Sequence, residues 1–130
     1  MSLNDPIANA LSKILNAEKL GKRECHVKPV SKLMKNVLTV MQDHKYIGSY
    51  EELEDGKGNV LKINLIGNIN KCGVIKPRFS VKINEYEKFE KRFLPAKDFG
   101  LLIISTPKGI KTNAEAKESK MGGTLIAYCY

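Results

Sequence analysis

Leu101-Leu102-Ile103-Ile104-Ser105-Thr106-Pro107-Lys108-Gly109 sets the reading of this chain. Four consecutive large aliphatics suit a strand covered on both faces, whereas Ser, Thr, Pro and Gly favour a turn. The stretch predicts a buried strand that delivers two hydroxyls, a lysine and exposed backbone to one surface. Downstream, Thr112 and Glu115 have the spacing of a capping box, which predicts a short helix over 113–120 that stops before Gly122-Gly123. A terminal strand over 124–130 follows. The glycine pair lets the backbone turn tightly or approach a ligand closely. Taken alone, these residues fit ordinary turn chemistry equally well, because short Lys-Gly and Gly-Gly pairs are common.

Working back toward the amino terminus, Asp5 can cap a helix whose first position is Pro6, with Ile7, Leu11, Ile14 and Leu15 on one apolar face and Gly21 as its stop. Residues 24–28 read as a short strand. Ser31, after Pro29, is the expected cap of a second helix whose buried stripe is Leu33, Met34, Val37, Leu38 and Met41. Residues 49–53 and 60–66 are strand candidates joined across Asp55-Gly56-Lys57-Gly58, as in a hairpin. The turn-rich residues 67–73 offer the best boundary. Beyond them Phe79, Val81 and Ile83 alternate with Arg78, Ser80 and Lys82, which predicts a half-buried strand with a basic outer face. Residues 86–93 fit either a single helical turn or a loop. The fold class is α/β (α+β): an amino-terminal domain, 1–68, with two helices on a small sheet, packed against a mainly β carboxy-terminal domain, 69–130, with a short helix.

The 130 residues are 42% hydrophobic, enough for a modest core, and carry 22 Lys and Arg against 14 Asp and Glu, a net charge of +8. That balance favours a polyanionic partner. No long apolar run and no basic-then-apolar leader is visible, so the expectation is a cytoplasmic protein without a membrane partner. Cys25, Cys72 and Cys129 are odd in number and widely spaced, which argues for reduced, packed thiols. Cys25-His26 with His44 makes a poor metal set, and no cofactor is expected.

Ile104-Ser105-Thr106-Pro107-Lys108-Gly109, then Glu115-Ala116, then Gly122-Gly123, resembles the signature of the universal small-subunit ribosomal protein family called S-eight. Asp5-Pro6-Ile7-Ala8 and Ser31-Lys32-Leu33 match it too, and the resemblance covers essentially the whole chain with its motifs in order. Lys71-Cys72-Gly73, Lys76-Pro77-Arg78-Phe79 and Lys91-Arg92-Phe93-Leu94-Pro95-Ala96 look like the archaeal and eukaryotic branch, archaeal above all. The resemblance implies an amino-terminal α/β domain and a mainly β carboxy-terminal one. It also implies a structural constituent of the small subunit that binds an irregular helix in the central domain of small-subunit rRNA and supports assembly. Further implied partners are neighbouring small-subunit ribosomal proteins and, for some members, their own operon mRNA. Two positions depart from the family: Pro107 stands where many relatives have Ser, and Thr124 where bacterial relatives often have Glu. No contact is carried over to either through those side chains.

Residues 1–45 carry eight basic and four acidic groups, 46–72 three against four, and 73–130 eleven against six. The acidic cluster Glu51, Glu52, Glu54 and Asp55 would repel phosphate, so the hairpin is expected to face away from RNA. Proteins that read RNA specifically use irregular regions, because regular A-form helices hide their base edges in a deep groove. Ser105 and Thr106 can hydrogen-bond a displaced base or a 2′-hydroxyl, Pro107 offers a flat apolar surface and Lys108 a phosphate partner, while Gly109, Gly122 and Gly123 permit close approach. Ser31 and Lys32, at a helix amino terminus, form a phosphate site in the light of the resemblance; without it they are a cap and a solvated lysine. Lys76 and Arg78 are weaker candidates of the same kind. An enzyme is the rival of another class, but Lys108-Gly109 reverses the P-loop order and Ser105 lacks a Gly-x-Ser-x-Gly setting. A generic basic module that binds any nucleic acid is the other alternative, and it predicts no preference for irregular helices.

Overall fold

A computed structural model describes residues 6–28, 31–54, 56, 59–76, 78–96 and 99–130. The chain divides into two compact units at Asn70 and Lys71. Asp5, Pro29, Asp55, Lys57, Gly58 and Pro77, which figure in the reading above, lie outside the described residues.

In the first unit, α1 (Pro6–Lys19) buries Ile7, Ala10, Leu11, Ile14 and Ala17, the apolar stripe that its 3.6-residue period dictates. Gly21 stops it at a φ of +73°, with Lys22 N–H donating to the Ala17 carbonyl and Gly21 N–H to that of Glu18. This is the glycine-terminated Schellman arrangement. The short strand β1 (Glu24–Val27) leads to α2 (Lys32–Asp43), which buries Met34, Val37, Leu38, Val40 and Met41. The hairpin of β2 (Ile47–Glu54) and β3 (Asn59–Leu65) completes an antiparallel sheet in the order β1-β3-β2. Cys25 and Val27 of β1 and Leu61, Ile63 and Leu65 of β3 alternate into the core. Each large aliphatic side chain buried in this way contributes about 1.5–3 kcal/mol.

The second unit is built on β8 (Gly123–Cys129), which bonds three neighbours. On one side lie β4 (Cys72–Val74) and β5 (Ser80–Val81); on the other lies β6 (Leu101–Thr106), itself paired with β7 (Gly109–Thr112). Leu101, Leu102, Ile103 and Ile104 are all buried, so β6 is covered on both faces as its aliphatic run requires. On one face, Leu102, Ile104, Leu125 and Val81 pack with Tyr86 and Phe89 of α3 (Tyr86–Phe93), with Leu94 just after it, and with Ala116 of α4 (Asn113–Glu118).

Several local expectations are corrected. Residues 86–93 form a helix, entered through a 3-10 turn at Ile83–Glu85. Tyr86, Phe89 and Phe93 fall on one face of it, and Glu87 in the first turn and Lys91 and Arg92 in the last complement the helix dipole. The strand expected through Ile83 stops at Val81, because Glu85 Oε1 accepts the Lys82 N–H at 2.9 Å and turns the chain; Ile83 is left 49% exposed. The aliphatic strand β6 runs on through Ser105 and Thr106 instead of ending at Ile104. Two strands that the sequence reading did not single out, β4 and β7, also join the sheet. The α4 capping box holds, with Thr112 Oγ1 accepting from Glu115 N–H at 3.2 Å and Glu115 Oε1 accepting from Thr112 N–H at 3.1 Å.

Candidate nucleic-acid interface

The end of the second-unit sheet carries most of the residues that the sequence singled out. Ser105 and Thr106 are the last two residues of β6, Pro107 and Lys108 form the exposed turn, and Gly109 opens β7 paired to Thr106. Gly109 has a φ of +111°, a conformation that L side chains rarely adopt. With proline fixing the preceding corner, the turn is confined from both sides.

The two hydroxyls differ in kind. Thr106 is 8% exposed, and its Oγ1 donates to the Gly109 carbonyl at 2.7 Å while accepting from the Lys108 N–H at 3.2 Å. Its hydrogen bonds are internal and lock the turn. The Ser105 hydroxyl is half-buried and has no hydrogen-bond partner among the described residues.

Register then assembles something that one strand alone could not show. Ser105 pairs with Thr124 of β8, and Thr124 pairs with Ser80 of β5. Directly opposed residues of antiparallel strands point to the same side of a sheet, so Ser80, Thr124 and Ser105 form a row of three hydroxyls across neighbouring strands. At the usual strand spacing the row spans roughly 10 Å. Phe79 and Val81 pack on the helix side, which leaves Ser80 on the opposite face. Linear sequence reasoning missed this row, since its only available sign was the alternation that set Ser80 apart from Phe79 and Val81.

Gly122 and Gly123 are explained by the protein itself. A methyl group on Gly123 would collide with the Ser105 carbonyl oxygen and come within 2.7 Å of Ile104 Cγ2; one on Gly122 would lie 2.5 Å from the Val81 carbonyl oxygen. The pair therefore lets β8 enter between β5 and β6. Tyr86, fully buried, donates its hydroxyl hydrogen to the Met121 carbonyl at 2.7 Å and fixes the approach to that entry. Burial raises the Tyr86 pKa. Asn113, at the start of α4, accepts the Leu102 N–H at 3.1 Å and donates to Glu90, which also holds Lys117 at 2.7 Å. These contacts brace β6 from the helix side.

The remaining candidates lie elsewhere. Lys76 and Arg78 are exposed on the connection between β4 and β5. Ser31 and Lys32 belong to the first unit. Ser31 is extended, with φ −142° and ψ 161°, and its Oγ accepts the Met34 N–H at 3.1 Å, so it is a true N-cap. No acidic residue occupies the first turn of α2, and Lys32 is exposed. In the acidic hairpin Glu51 lies 3.8 Å from Lys62, and Glu52 pairs with Lys35 and accepts from Asn59, contacts that lower the Glu52 pKa.

A small, basic α/β chain of two units, whose described helices are all too short to cross a membrane, with hydroxyls, glycines and a lysine gathered at one sheet end, has the character of an RNA-binding protein. A family model described as Ribosomal protein S8 matches residues 5–130, and the chain belongs to that family. It is a structural, non-enzymatic ribosomal protein that binds rRNA and works among the ribosomal proteins of the small subunit.

Proposed function

We propose that this protein binds an irregular helix in the central domain of small-subunit rRNA through the end of the second-unit sheet, and thereby supports subunit assembly. The observation that carries the reading is the Ser105 hydroxyl, which has no hydrogen-bond partner among the described residues and lies next to Thr124 and Ser80 and beside the exposed Pro107-Lys108 turn. Ser105 supplies hydrogen bonds to a displaced base or ribose, Pro107 an apolar surface and Lys108 a phosphate contact. Thr106, Gly109, Gly122 and Gly123 act by holding the backbone in the shape that presents them. In the first unit, Ser31 and Lys32 take a phosphate at the amino terminus of α2: the Ser31 hydroxyl keeps its hydrogen for donation while its oxygen caps the helix. Lys76 and Arg78 add backbone contacts.

The motifs at Lys71-Cys72-Gly73 and 91–96 favour the archaeal branch of the family, a cytoplasmic setting follows from the ribosome, and repression through the protein's own operon mRNA is a further activity of the same surface. Binding across a salt series, to the irregular helix and to the same helix with its internal loop replaced by Watson-Crick pairs, tests the reading. A preference that survives moderate salt is expected. Equal, steeply salt-dependent binding to both would reduce the protein to a generic basic module.

A further inference from the structure

On the helix side of the same sheet, at its other end, a second set of residues has no part in the reading above. Phe93, Tyr128 and Tyr130 form a row of half-buried rings: Phe93 and Tyr128 are 5.9 Å apart at 21°, Tyr128 and Tyr130 6.2 Å apart at 23°. Register builds this row. Tyr128 pairs with Gly73, and its hydroxyl lies 3.1 Å from where a Cβ on Gly73 would be, so the missing side chain lets the ring lie across β4. Lys71 and Tyr130 exchange backbone hydrogen bonds of 2.9 and 2.8 Å, which sets Lys71 beside the last ring. At the other end the Arg92 guanidinium sits 5.1 Å from the centre of Phe79 and 5.4 Å from that of Phe93. Held against two rings, and with no hydrogen-bond or ion-pair partner among the described residues, it has its hydrogen-bonding fork for a ligand.

The rings and the two cations line an open groove of about 360 Å³, and among the described residues no Asp or Glu side chain lines it. Near-parallel rings with cations at both ends match an unpaired nucleotide, whose base extends the stack and whose phosphate meets a lysine or arginine. A carboxylate side chain would use the cations and leave the rings idle.

The geometry points to a second RNA contact here, taking one or two unpaired nucleotides. Phe93, Tyr128 and Tyr130 stack the base, and Arg92 and Lys71 hold the phosphate. The inference shares with the proposed function only that the ligand is RNA; its residues and its sheet face are different, so each can fail without the other.

The test is titration of the full chain with single-stranded pentauridylate, read by the ring resonances of Tyr128 and Tyr130, which are two of only five tyrosines in a chain without tryptophan. Saturable shifts of both are expected. Tyr130→Leu and, independently, Arg92→Gln should weaken binding about tenfold, the scale of one lost stack or phosphate contact. Lys71→Gln serves as the second charge variant should Arg92→Gln disturb the Phe79 packing. Ser105→Ala should leave pentauridylate binding unchanged while lowering affinity for the irregular helix. Unmoved Tyr128 and Tyr130 resonances, in a preparation that still binds the irregular helix, would overturn the inference. Equal shifts with pentaglutamate would overturn it too, by making the groove a docking site for an acidic protein segment.

Discussion

Replacing Gly123 with alanine separates two reasons for a glycine: access for RNA and access for another strand. The new methyl would meet the Ser105 carbonyl and, at 2.7 Å, Ile104 Cγ2, where ordinary contacts begin at 3.4 Å. Relief means moving β8 away from β6 by roughly 0.7 Å or more at the Ile104/Leu125 and Ser105/Thr124 pairs. Ile104 and Leu125 are fully buried, so the neighbours have little room to yield. Overpacking of this kind costs about 1–3 kcal/mol, and each ladder hydrogen bond stretched beside it about 0.5–1.5 kcal/mol. A total near 3 kcal/mol is expected. With an unfolding entropy of about 2.1 cal/mol/K per residue over 130 residues, Tm falls by roughly 11 °C. Thermal unfolding followed by circular dichroism, with urea titration for ΔG, gives the answer. A Tm within about 2 °C of the parent, together with weakened binding to the irregular helix, would refute the reasoning: the glycine would then serve the ligand and not the sheet. Gly109→Ala is the comparison, because there a methyl meets nothing within 4 Å and only the φ of +111° is strained.

Thr106→Val should lower stability by about 1–2 kcal/mol through loss of two turn hydrogen bonds, whereas Ser105→Ala should leave urea stability within about 0.5 kcal/mol and weaken binding to the irregular helix several-fold. Lys120 sits at a φ of +56° just after α4, a position suited to glycine, so Lys120→Gly should raise stability by roughly 0.5–1 kcal/mol in the same assay. The raised pKa of Tyr86 means that the unfolded chain releases this proton first, so stability should fall as pH rises above about 10 toward the higher folded value; Tyr86→Phe should flatten that fall in pH-dependent urea titrations. Gln at Glu51, Glu52, Glu54 and Asp55 together should change affinity for the irregular helix little at moderate salt, and a large gain would mean that the acidic hairpin lies against RNA.

What the sequence disclosed follows from the range of the interactions involved. The helices α1 and α2, the capping box of α4 and the buried strand β6 are set by patterns within a few residues, and each could be read directly, although Leu15 and Leu33, expected in the buried stripes of α1 and α2, are only half-buried. The 3-10 turn that cuts short β5 is also local, but its determinant is a single Glu85 side chain acting against an apolar alternation that pointed to a longer strand. Strands as short as β4 carry too few residues to show a period at all. The site was legible in its parts and not in its division of labour. Nothing in Ser105-Thr106 tells which hydroxyl is used up inside the turn; that depends on the Gly109 carbonyl being brought back within 2.7 Å of Thr106 Oγ1.

The same dependence on pairing explains how a proline can be tolerated in the turn of a surface meant to hydrogen-bond RNA. Pro107 has no hydroxyl and no N–H, so the turn itself offers little beyond Lys108. What Pro107 supplies is a fixed corner, which with Thr106 and Gly109 sets where β7 returns and holds the end of β6 in register with β8. That register aligns Ser105 with Thr124, and β5 adds Ser80 at the edge. Specific hydrogen bonding is therefore expected to come from the flat end of the sheet and not from the turn. Ser80→Ala tests this at the residue farthest from the turn: a several-fold loss of affinity for the irregular helix, with unchanged stability, is expected, and a value equal to the parent's would restrict the contact to β6 and its turn.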